Sequence, residues 1–441
     1  MQRDRGRSVL MKFSICNLGC KVNAYEAESV ASLLEKKGWE RVDFDEQADA
    51  ALIFTCAVTN TAASKSRKMM HRIKRNFPEC AVAMVGCYAQ IDDGMLKDAE
   101  IIVGSSHKKD LPQYIDEYFE TKKPVRVLDD LKDTPFETLS ADGFDSRARA
   151  YLKIQDGCNQ FCTYCVIPYV RGRERSMAPD TAVKEAVRIS KDYREIVLTG
   201  IHTGRYGREY GVSLAELMER ILNEAVNLER LRISSIEITE IDDHLIRLMK
   251  TNKRIARHLH IPLQAGSDEI LSAMGRPYTT DEYFEKIEAI RKELDGVSVS
   301  CDLITGFPGE TDEMFARTLQ FIEKCRFSFL HVFPYSPRVN TVAAAMDHQI
   351  SPEVKKKRTS EAMQLSQKLA DEFRTARLGN KAEVMCEESE DGYTKGYTSE
   401  YIPVRIKGVL PHGTMAAVRL SEYRDHMMYG EVINNETDTI V

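Results

Sequence analysis

Residues 158–165 read CNQFCTYC, which sets Cys158, Cys162 and Cys165 at a C-x3-C-x2-C spacing just after a strand-like run at 150–155. Three thiolates close together suit a soft, iron-rich centre. A fourth cysteine at a regular offset would close the site, as in a structural four-cysteine arrangement. None follows locally; the next is Cys301. A cluster held by three cysteines leaves one iron open for a further ligand. A zinc knuckle completed by a distant histidine, or three thiols of a core, are the competing readings of the same stretch.

The chain has 441 residues, enough for about three domains, and the composition of an ordinary globular protein. Eleven cysteines without a signal peptide predict a reducing, cytoplasmic setting and metal ligands rather than disulfides. No apolar run is long enough for a transmembrane helix, so no membrane partner is expected. The start, MQRDRGRSVLMKF, is basic but lacks an apolar signal core, and its first ten residues read as a leader or an upstream start before Met11. The formal charge of −6 gives no support for nucleic-acid binding, so any such surface must be local.

Residues 11–125 alternate strand and helix. Runs 13–18, 50–55 and 81–85 read as strands, and 24–37 and 64–76 as helices. Such alternation predicts a parallel sheet covered by helices. Cys20, Cys56 and Cys87 each fall just past one of these strands, where open α/β sheets place their ligands. Position alone leaves two readings open, a three-thiol site or ordinary buried cysteines. Cys16 and Cys80, within or before strands, read as core. Residues 126–149 show little periodicity and read as a linker.

From 150 to about 333, six strand-like runs (150–155, 195–198, 230–235, 258–262, 297–304, 327–333) are separated by helical patterns. Six βα units predict a partial barrel rather than the closed eight-stranded one, with its site at the carboxyl ends of the strands. Gly200 and His202 follow the second run, Glu237 the third, Gln264 and Gly266 the fourth, and Gly306-Phe307-Pro308-Gly309 the fifth. A charged helix is expected at 352–378. Beyond 381, short alternating runs (383–387, 403–406, 415–420, 430–433) predict a small β-barrel. The fold class is therefore α/β, with an N-terminal three-layer domain (11–125), a linker (126–149), a partial (β/α)6 barrel (150–378) and a C-terminal β-barrel (379–441).

The C-x3-C-x2-C loop resembles that of the radical S-adenosylmethionine (SAM) superfamily, whose open iron takes the amino and carboxylate groups of SAM. There the aromatic before the last cysteine, here Tyr164, lies near the adenine. From about Met11 the whole chain resembles the methylthiotransferases through LGCKVNAYEAE, FTCAVTNTAASKSR, VGCYAQ, KIQDGCNQFCTYCVIPYVRGRERS, HLHIPLQAGSD, AMGRPYT, DLITGFPGET and YSPR. That family joins an α/β domain holding an auxiliary cluster, a radical SAM partial barrel and a terminal TRAM barrel. The resemblance implies two [4Fe-4S] clusters and SAM. Cys158, Cys162 and Cys165 take the radical SAM positions, Cys20, Cys56 and Cys87 the auxiliary ones. Tyr164, Gly200, Glu237 and Gln264 are the cofactor-binding candidates. No catalytic acid or base is assigned.

Within the family one branch acts on isopentenyladenosine in tRNA, one on an aspartate of a ribosomal protein, and one on N6-threonylcarbamoyladenosine at tRNA position 37. GCKVN, with Lys21 and Val22, and LTGIHTGRYG look like the last branch. After YSPR the family usually shows Pro-Gly-Thr, where this chain has Val339-Asn340-Thr341. The chemistry implied is replacement of an unactivated C2–H of adenine by a methylthio group, which a cofactor must drive. Radical cleavage of one SAM removes the hydrogen; the second cluster presents sulfur and another SAM the methyl. The implied partners are a tRNA anticodon stem-loop and an electron donor such as flavodoxin or ferredoxin. Other methylthiotransferase substrates, or a non-enzymatic iron–sulfur RNA-binding protein, are the alternatives.

Lys65, Arg67, Lys68, Arg72, Lys74 and Arg75 on one helix, and Arg171, Arg173 and Arg175, can neutralise phosphates; a solvated charged face is the other reading of the helix. The segment from Lys381 holds eleven acids against six Lys and Arg, so RNA binding there would need a local patch or stacking by Tyr393, Tyr397 or Tyr401. Barrel surface or core is the other reading of those tyrosines.

Overall fold

The computed structural model describes residues 10–91, 93–144 and 147–433; the leader expected at residues 1–10 lies outside them apart from Leu10. Strands β1 (Lys12–Asn17), β2 (Glu40–Arg41), β3 (Ala50–Thr55), β4 (Ala81–Gly86), β5 (Ile101–Val103) and β6 (Val125–Val127) form one parallel sheet in the order β2-β1-β3-β4-β5-β6. Helices α1 (Lys21–Lys36) and α3 (Leu111–Thr121) pack on one face, α2 (Asn60–Asn76) on the other. The strands AALIFT and AVAMVG are buried throughout because both faces are covered, which is why they read as unbroken apolar runs.

The sheet is wider than the apolar runs indicate. Its outer strands β2, β5 and β6 are two or three residues long, too short to leave a pattern. Residues 126–149, read as a linker, are for much of their length packed against their neighbours. β6 straddles their start, and Leu131, Leu139, Ala141, Phe144 and Ala148 are buried. The Tyr25 hydroxyl donates to the Leu139 carbonyl at 2.5 Å, and the Asp142 amide donates to Ser32 Oγ at 2.9 Å, so the segment straps α1 against the next domain.

Six parallel strands then form an open barrel: β7 (Ala150–Lys153), β10 (Glu195–Thr199), β11 (Arg230–Ile233), β12 (His258–His260), β13 (Ser298–Thr305) and β14 (Phe329–Pro334). They pair as β11-β10-β7 and β12-β13-β14, and the halves meet through the Leu231–Ile255 bridge and the Ile236 amide bonded to the His260 carbonyl at 3.0 Å. A two-stranded ribbon, β8 (Gln155–Asp156) with β9 (Arg175–Ser176), and the short helices α4 (Ile167–Arg171) and α8 (Asp268–Ala273) stand at its rim. Helices α5 (Pro179–Ile189), α6 (Leu214–Glu224), α7 (Asp243–Thr251), α9 (Thr280–Glu293) and α10 (Asp312–Cys325) follow the strands, with capping boxes at Ser213/Glu216 and Thr279/Glu282. Strand alternation sends Leu231, Ile233, Leu259, Val299, Cys301 and Leu303 into the apolar core. The opposite face carries Arg230, Arg232, His258, His260, Ser300 and Asp302.

Helix α11 (Pro352–Thr375) leads to the terminal domain. There β15 (Lys381–Glu390), β16 (Tyr393–Thr398), β17 (Pro403–Lys407), β18 (Met415–Arg424) and β19 (Met427–Val432) close a barrel in the order β15-β16-β17-β19-β18. The strand missing from the sequence reading is β16, YTKGYT, whose buried side comprises Thr394, Gly396 and Thr398 rather than apolar residues. A Cβ on Gly396 would lie 2.3 Å from the Met385 carbonyl oxygen, so the barrel closes only with glycine there. The departure at 339–341 fits its turn: Asn340 holds a left-handed φ of +68°, which asparagine tolerates.

Candidate active site

The first thiol loop hangs between two fixed points. At its start Gly157 has φ +73°, and a Cβ there would sit 1.9 Å from the Arg173 carbonyl oxygen. At its end Thr163 is bound to α8, its amide donating to the Met274 carbonyl at 3.0 Å and its hydroxyl to that of Ala273 at 2.8 Å. Cys158, Cys162 and Cys165 line one cavity of about 280 Å³ with Tyr164, Glu237, Gln264, Arg276 and His202. Cys158 Sγ lies 3.4 Å from His202 Nδ1, and the Arg276 guanidinium lies 3.5 Å from Cys162 Sγ. Burial opposes charge on His202, but Cys158 and Glu240 outweigh it and raise its pKa to about 10. Burial pushes the Cys165 thiol up to about 12. The donor set fits an iron–sulfur cluster: three thiols around one cavity, with an imidazolium and a guanidinium beside them to balance thiolate charge.

The second trio comes from the carboxyl ends of three adjacent strands. Helix α1 begins at Lys21 rather than at residue 24, so Cys20 is its N-cap, and the Cys20 thiol lies 3.6 Å from Asn23 Oδ1. Cys56 follows β3 and Cys87 follows β4. The sulfurs lie within electrostatic reach of one another: burial first, then Cys87 and Cys20, raise Cys56 to about 11. Arg171 Nε donates to Cys87 Sγ at 3.0 Å. Cys16 and Cys80 belong to the apolar cluster around α2, which also takes in Cys87; Cys80 is buried and Cys16 partly. Among the described residues no three His, Cys, Asp or Glu side chains converge as the ligands of a single ion do.

Arg171 and Arg175 are not phosphate ligands. Arg171 is fully buried and Arg175 only 9% exposed, because α4 ends at Gly172 and turns inward. Arg171 bonds Glu26 at 2.7 Å and Asn23 at 2.8 Å on α1, besides Cys87. Lys153 reaches Glu26 and Asp156, each at 2.6 Å, and Lys108 adds a cation 3.5 Å from Glu26. This ion network joins the two thiol-bearing domains. Burial opposes ionisation of Glu26, but Arg171, Lys108 and Lys153 overcome it and hold its carboxyl at about 2. The same opposition, won by Lys153, Arg171 and Arg175, holds Asp156 well below the usual carboxylate range. On the basic helix, Arg67 bonds the Tyr88 hydroxyl at 2.6 Å, Arg72 pairs with Asp45 and Lys74 with Glu100, leaving Lys65, Lys68 and Arg75 exposed.

Three openings meet at Asp302. Besides the thiol-loop cavity there is one of about 460 Å³ lined by Cys20, Lys21, Gly200, Arg232, His258, His260, His331 and Tyr401. A third, of about 200 Å³, is walled by Val58, Val166, Ile167, Ile304, Phe333 and Pro334. Of the four cofactor-binding candidates, Tyr164, Glu237 and Gln264 line the thiol-loop cavity, and Gly200 lines its neighbour. Glu237 is paired with Arg276. The polar wall of β11–β13 went unread in the sequence; its signal was alternation in RLRI, HLH and SVSCDLIT. Tyr397 and Tyr401 stack on each other at 4.8 Å, and Tyr401 stacks on His258 at 5.2 Å, so they seat the terminal barrel on β11–β12. Tyr393 packs edge-on against Tyr429 within that barrel.

An open parallel barrel with a three-thiol loop after its first strand defines a radical SAM enzyme. The Radical SAM superfamily model matches residues 152–322, and that of Uncharacterized protein family UPF0004 matches 12–104. The fold is also that of the radical SAM methyltransferase TsrM from Kitasatospora setae, at TM-score 0.55 and 12% identity over 76% of this chain and 74% of that one. The chain is 40% identical to threonylcarbamoyladenosine tRNA methylthiotransferase MtaB of Bacillus subtilis, covering 89% of each. It is 33% identical to the protein of the same name from Aquifex aeolicus, over 92% of this chain and all of that one. A tRNA-2-methylthio-N(6)-dimethylallyladenosine synthase of Thermoanaerobacter sp. is 31% identical over 98% of this chain and 94% of its own length. The chain belongs to the methylthiotransferase family of radical SAM enzymes.

Proposed function

We propose that this enzyme converts N6-threonylcarbamoyladenosine at position 37 of tRNA to its 2-methylthio derivative. The observation that carries the reading is a three-cysteine loop lining one cavity and Cys20 of the second trio lining the adjoining one, in a chain 40% identical to a relative named for that nucleoside. Cys158, Cys162 and Cys165 would hold the SAM-cleaving [4Fe-4S] cluster, and Cys20, Cys56 and Cys87 the auxiliary one. When bound, the clusters and SAM supply the radical, sulfur and methyl chemistry that no side chain offers. The protein's own groups orient and exclude. Tyr164, Glu237 and Gln264 wall the SAM side of the cleft. Arg276 and His202 balance thiolate charge at the first loop, and Arg171 does so at Cys87. The packed α1 and the tyrosines of the terminal domain shield the cleft from water.

The RNA element recognised is the anticodon stem-loop, and a flavodoxin or ferredoxin delivers the electron. No helix among the described residues is long and apolar enough to cross a membrane; with its unpaired thiols, the enzyme works in the cytoplasm. Nucleoside mass spectrometry of tRNA from cells lacking the protein tests the reading. The 2-methylthio form of threonylcarbamoyladenosine should vanish and its precursor remain. Loss of 2-methylthio-dimethylallyladenosine instead would assign the enzyme to the other tRNA branch. Failure of the reduced protein to release 5′-deoxyadenosine from SAM would make it a non-enzymatic cluster protein.

A further inference from the structure

We propose that the cavity beside Cys20 is the subsite for the N6 arm of the target adenosine, and that Lys21 is the specificity-determining residue that binds the carboxylate of that arm. The proposal rests on the threonylcarbamoyladenosine reading above. A threonylcarbamoyl arm carries a carboxylate and a hydroxyl, whereas a dimethylallyl arm carries neither. A subsite that prefers the first must offer an unspent positive charge.

Three lysine or arginine side chains line the three joined cavities, and two are already engaged. Arg276 is paired with Glu237. Arg232 donates to Glu195 at 2.9 Å and to the carbonyls of Thr398 and Ser399 at 3.2 and 3.1 Å. Lys21 makes no ion pair or hydrogen bond among the described residues. It exposes surface and lines the cleft. Asp302, the acid of this cavity, lies 3.2 Å from His260 Nε2. His331 is exposed on the same wall and offers a ring nitrogen to the arm. The 200 Å³ opening, by contrast, is lined by no lysine, arginine or histidine.

Placement agrees with the chemistry. In adenine, C2 and the N6-bearing C6 flank N1. An arm on N6 therefore leaves the ring close to the reacting carbon, and its subsite must adjoin the sulfur-bearing centre. The Lys21 cavity does so, because Cys20 forms part of its wall. At 460 Å³ it has room for an amino-acid-sized group. Lys21 opens α1 directly after Cys20, so its position is tied to that of the cluster ligand.

Synthetic anticodon stem-loops test this. They carry at position 37 N6-threonylcarbamoyladenosine, its threonine carboxamide analogue, or N6-dimethylallyladenosine. Binding is read by fluorescence anisotropy and methylthiolation by mass spectrometry, on reconstituted protein of known iron content. The wild type should bind the carboxylate RNA about ten- to a hundredfold more tightly than the carboxamide, the worth of a charge-assisted hydrogen bond. Lys21→Met should remove that preference and leave carboxamide binding unchanged, and Lys21→Arg should restore most of it. A wild type indifferent to carboxylate versus carboxamide overturns the proposal. So does a Lys21→Met variant that weakens all RNAs alike, which would mark Lys21 as a phosphate contact. Should Lys21→Met lose its iron, the wild-type comparison still decides. If the wild type modifies only the dimethylallyl RNA, the functional reading itself fails. If it modifies threonylcarbamoyl RNA without a carboxylate preference, only the Lys21 assignment falls.

Discussion

Cys158, Cys162 and Cys165 share one short loop, so removing any one thiol opens the same centre. Replacing any of them by Ala should abolish 5′-deoxyadenosine formation by the reduced protein, measured by chromatography after incubation with SAM; retained cleavage would place the SAM-cleaving centre elsewhere. Arg171 illustrates how a residue's neighbours decide its role. In the string RGRER it looks like a phosphate ligand; in the fold it has no exposed surface and bonds Asn23, Glu26 and Cys87. Removing one member of a buried ion network strands the charges it faced. Arg171→Met should therefore cost about 3–5 kcal/mol of stability, read as a lower urea midpoint of the apoprotein. A change of under about 1 kcal/mol would mean that Glu26 is satisfied without Arg171.

Among the elements, β1, β3 and β4 matter most, because each delivers one cysteine of the second trio at its carboxyl end. No single loop contains that trio, so it exists only when the sheet is folded. The triple variant Cys20→Ala, Cys56→Ala, Cys87→Ala should keep roughly half its iron, on the assumption of equal four-iron clusters. It should still cleave SAM and make no methylthiolated RNA. Iron analysis, 5′-deoxyadenosine and product nucleoside are measured on one preparation. Methylthiolation by that variant would exclude the trio from sulfur insertion. Zinc in the wild type, with general unfolding on substitution, would indicate a structural site.

Across the whole molecule, the network of Glu26, Lys108, Lys153, Asp156 and Arg171 joins the N-terminal sheet to the barrel, and its carboxylates couple that junction to pH. Glu26 titrates near 2 in the fold against an ordinary 4.5, so the folded state favours its ionised form. A depressed carboxyl contributes stability in full above its unfolded pKa and loses it as pH falls through the folded value. Glu26 should thus contribute a constant amount near neutrality that disappears between about pH 4.5 and 2, while the contribution of Asp156, held lower still, is lost further into acid. Unfolding midpoints across that range, compared with Glu26→Gln, check the sign. The variant should be the less stable at pH 6, and the difference should shrink toward pH 2; a difference that grew on acidification would refute the assignment.

The amino-acid sequence by itself determined what depends on local spacing. The C-x3-C-x2-C loop, the apolar runs AALIFT and AVAMVG, six βα units and the glycine-punctuated terminal strands set the domain types and the first three cysteines, while the second trio was assigned only by family resemblance. Those signals survive because thiol spacing and side-chain periodicity are properties of neighbouring residues. Only the tertiary structure decided which charges are spent. Arg171 and Arg175 are buried, Tyr401 is stacked on His258, and Lys21 lines a cavity without an ion-pair partner among the described residues, although nothing in their local strings announces it. A short strand such as β5, or the polar inner strand β16, leaves no periodicity to read. Their pairing is fixed by partners far along the chain, and only the closed sheet and barrel supply them.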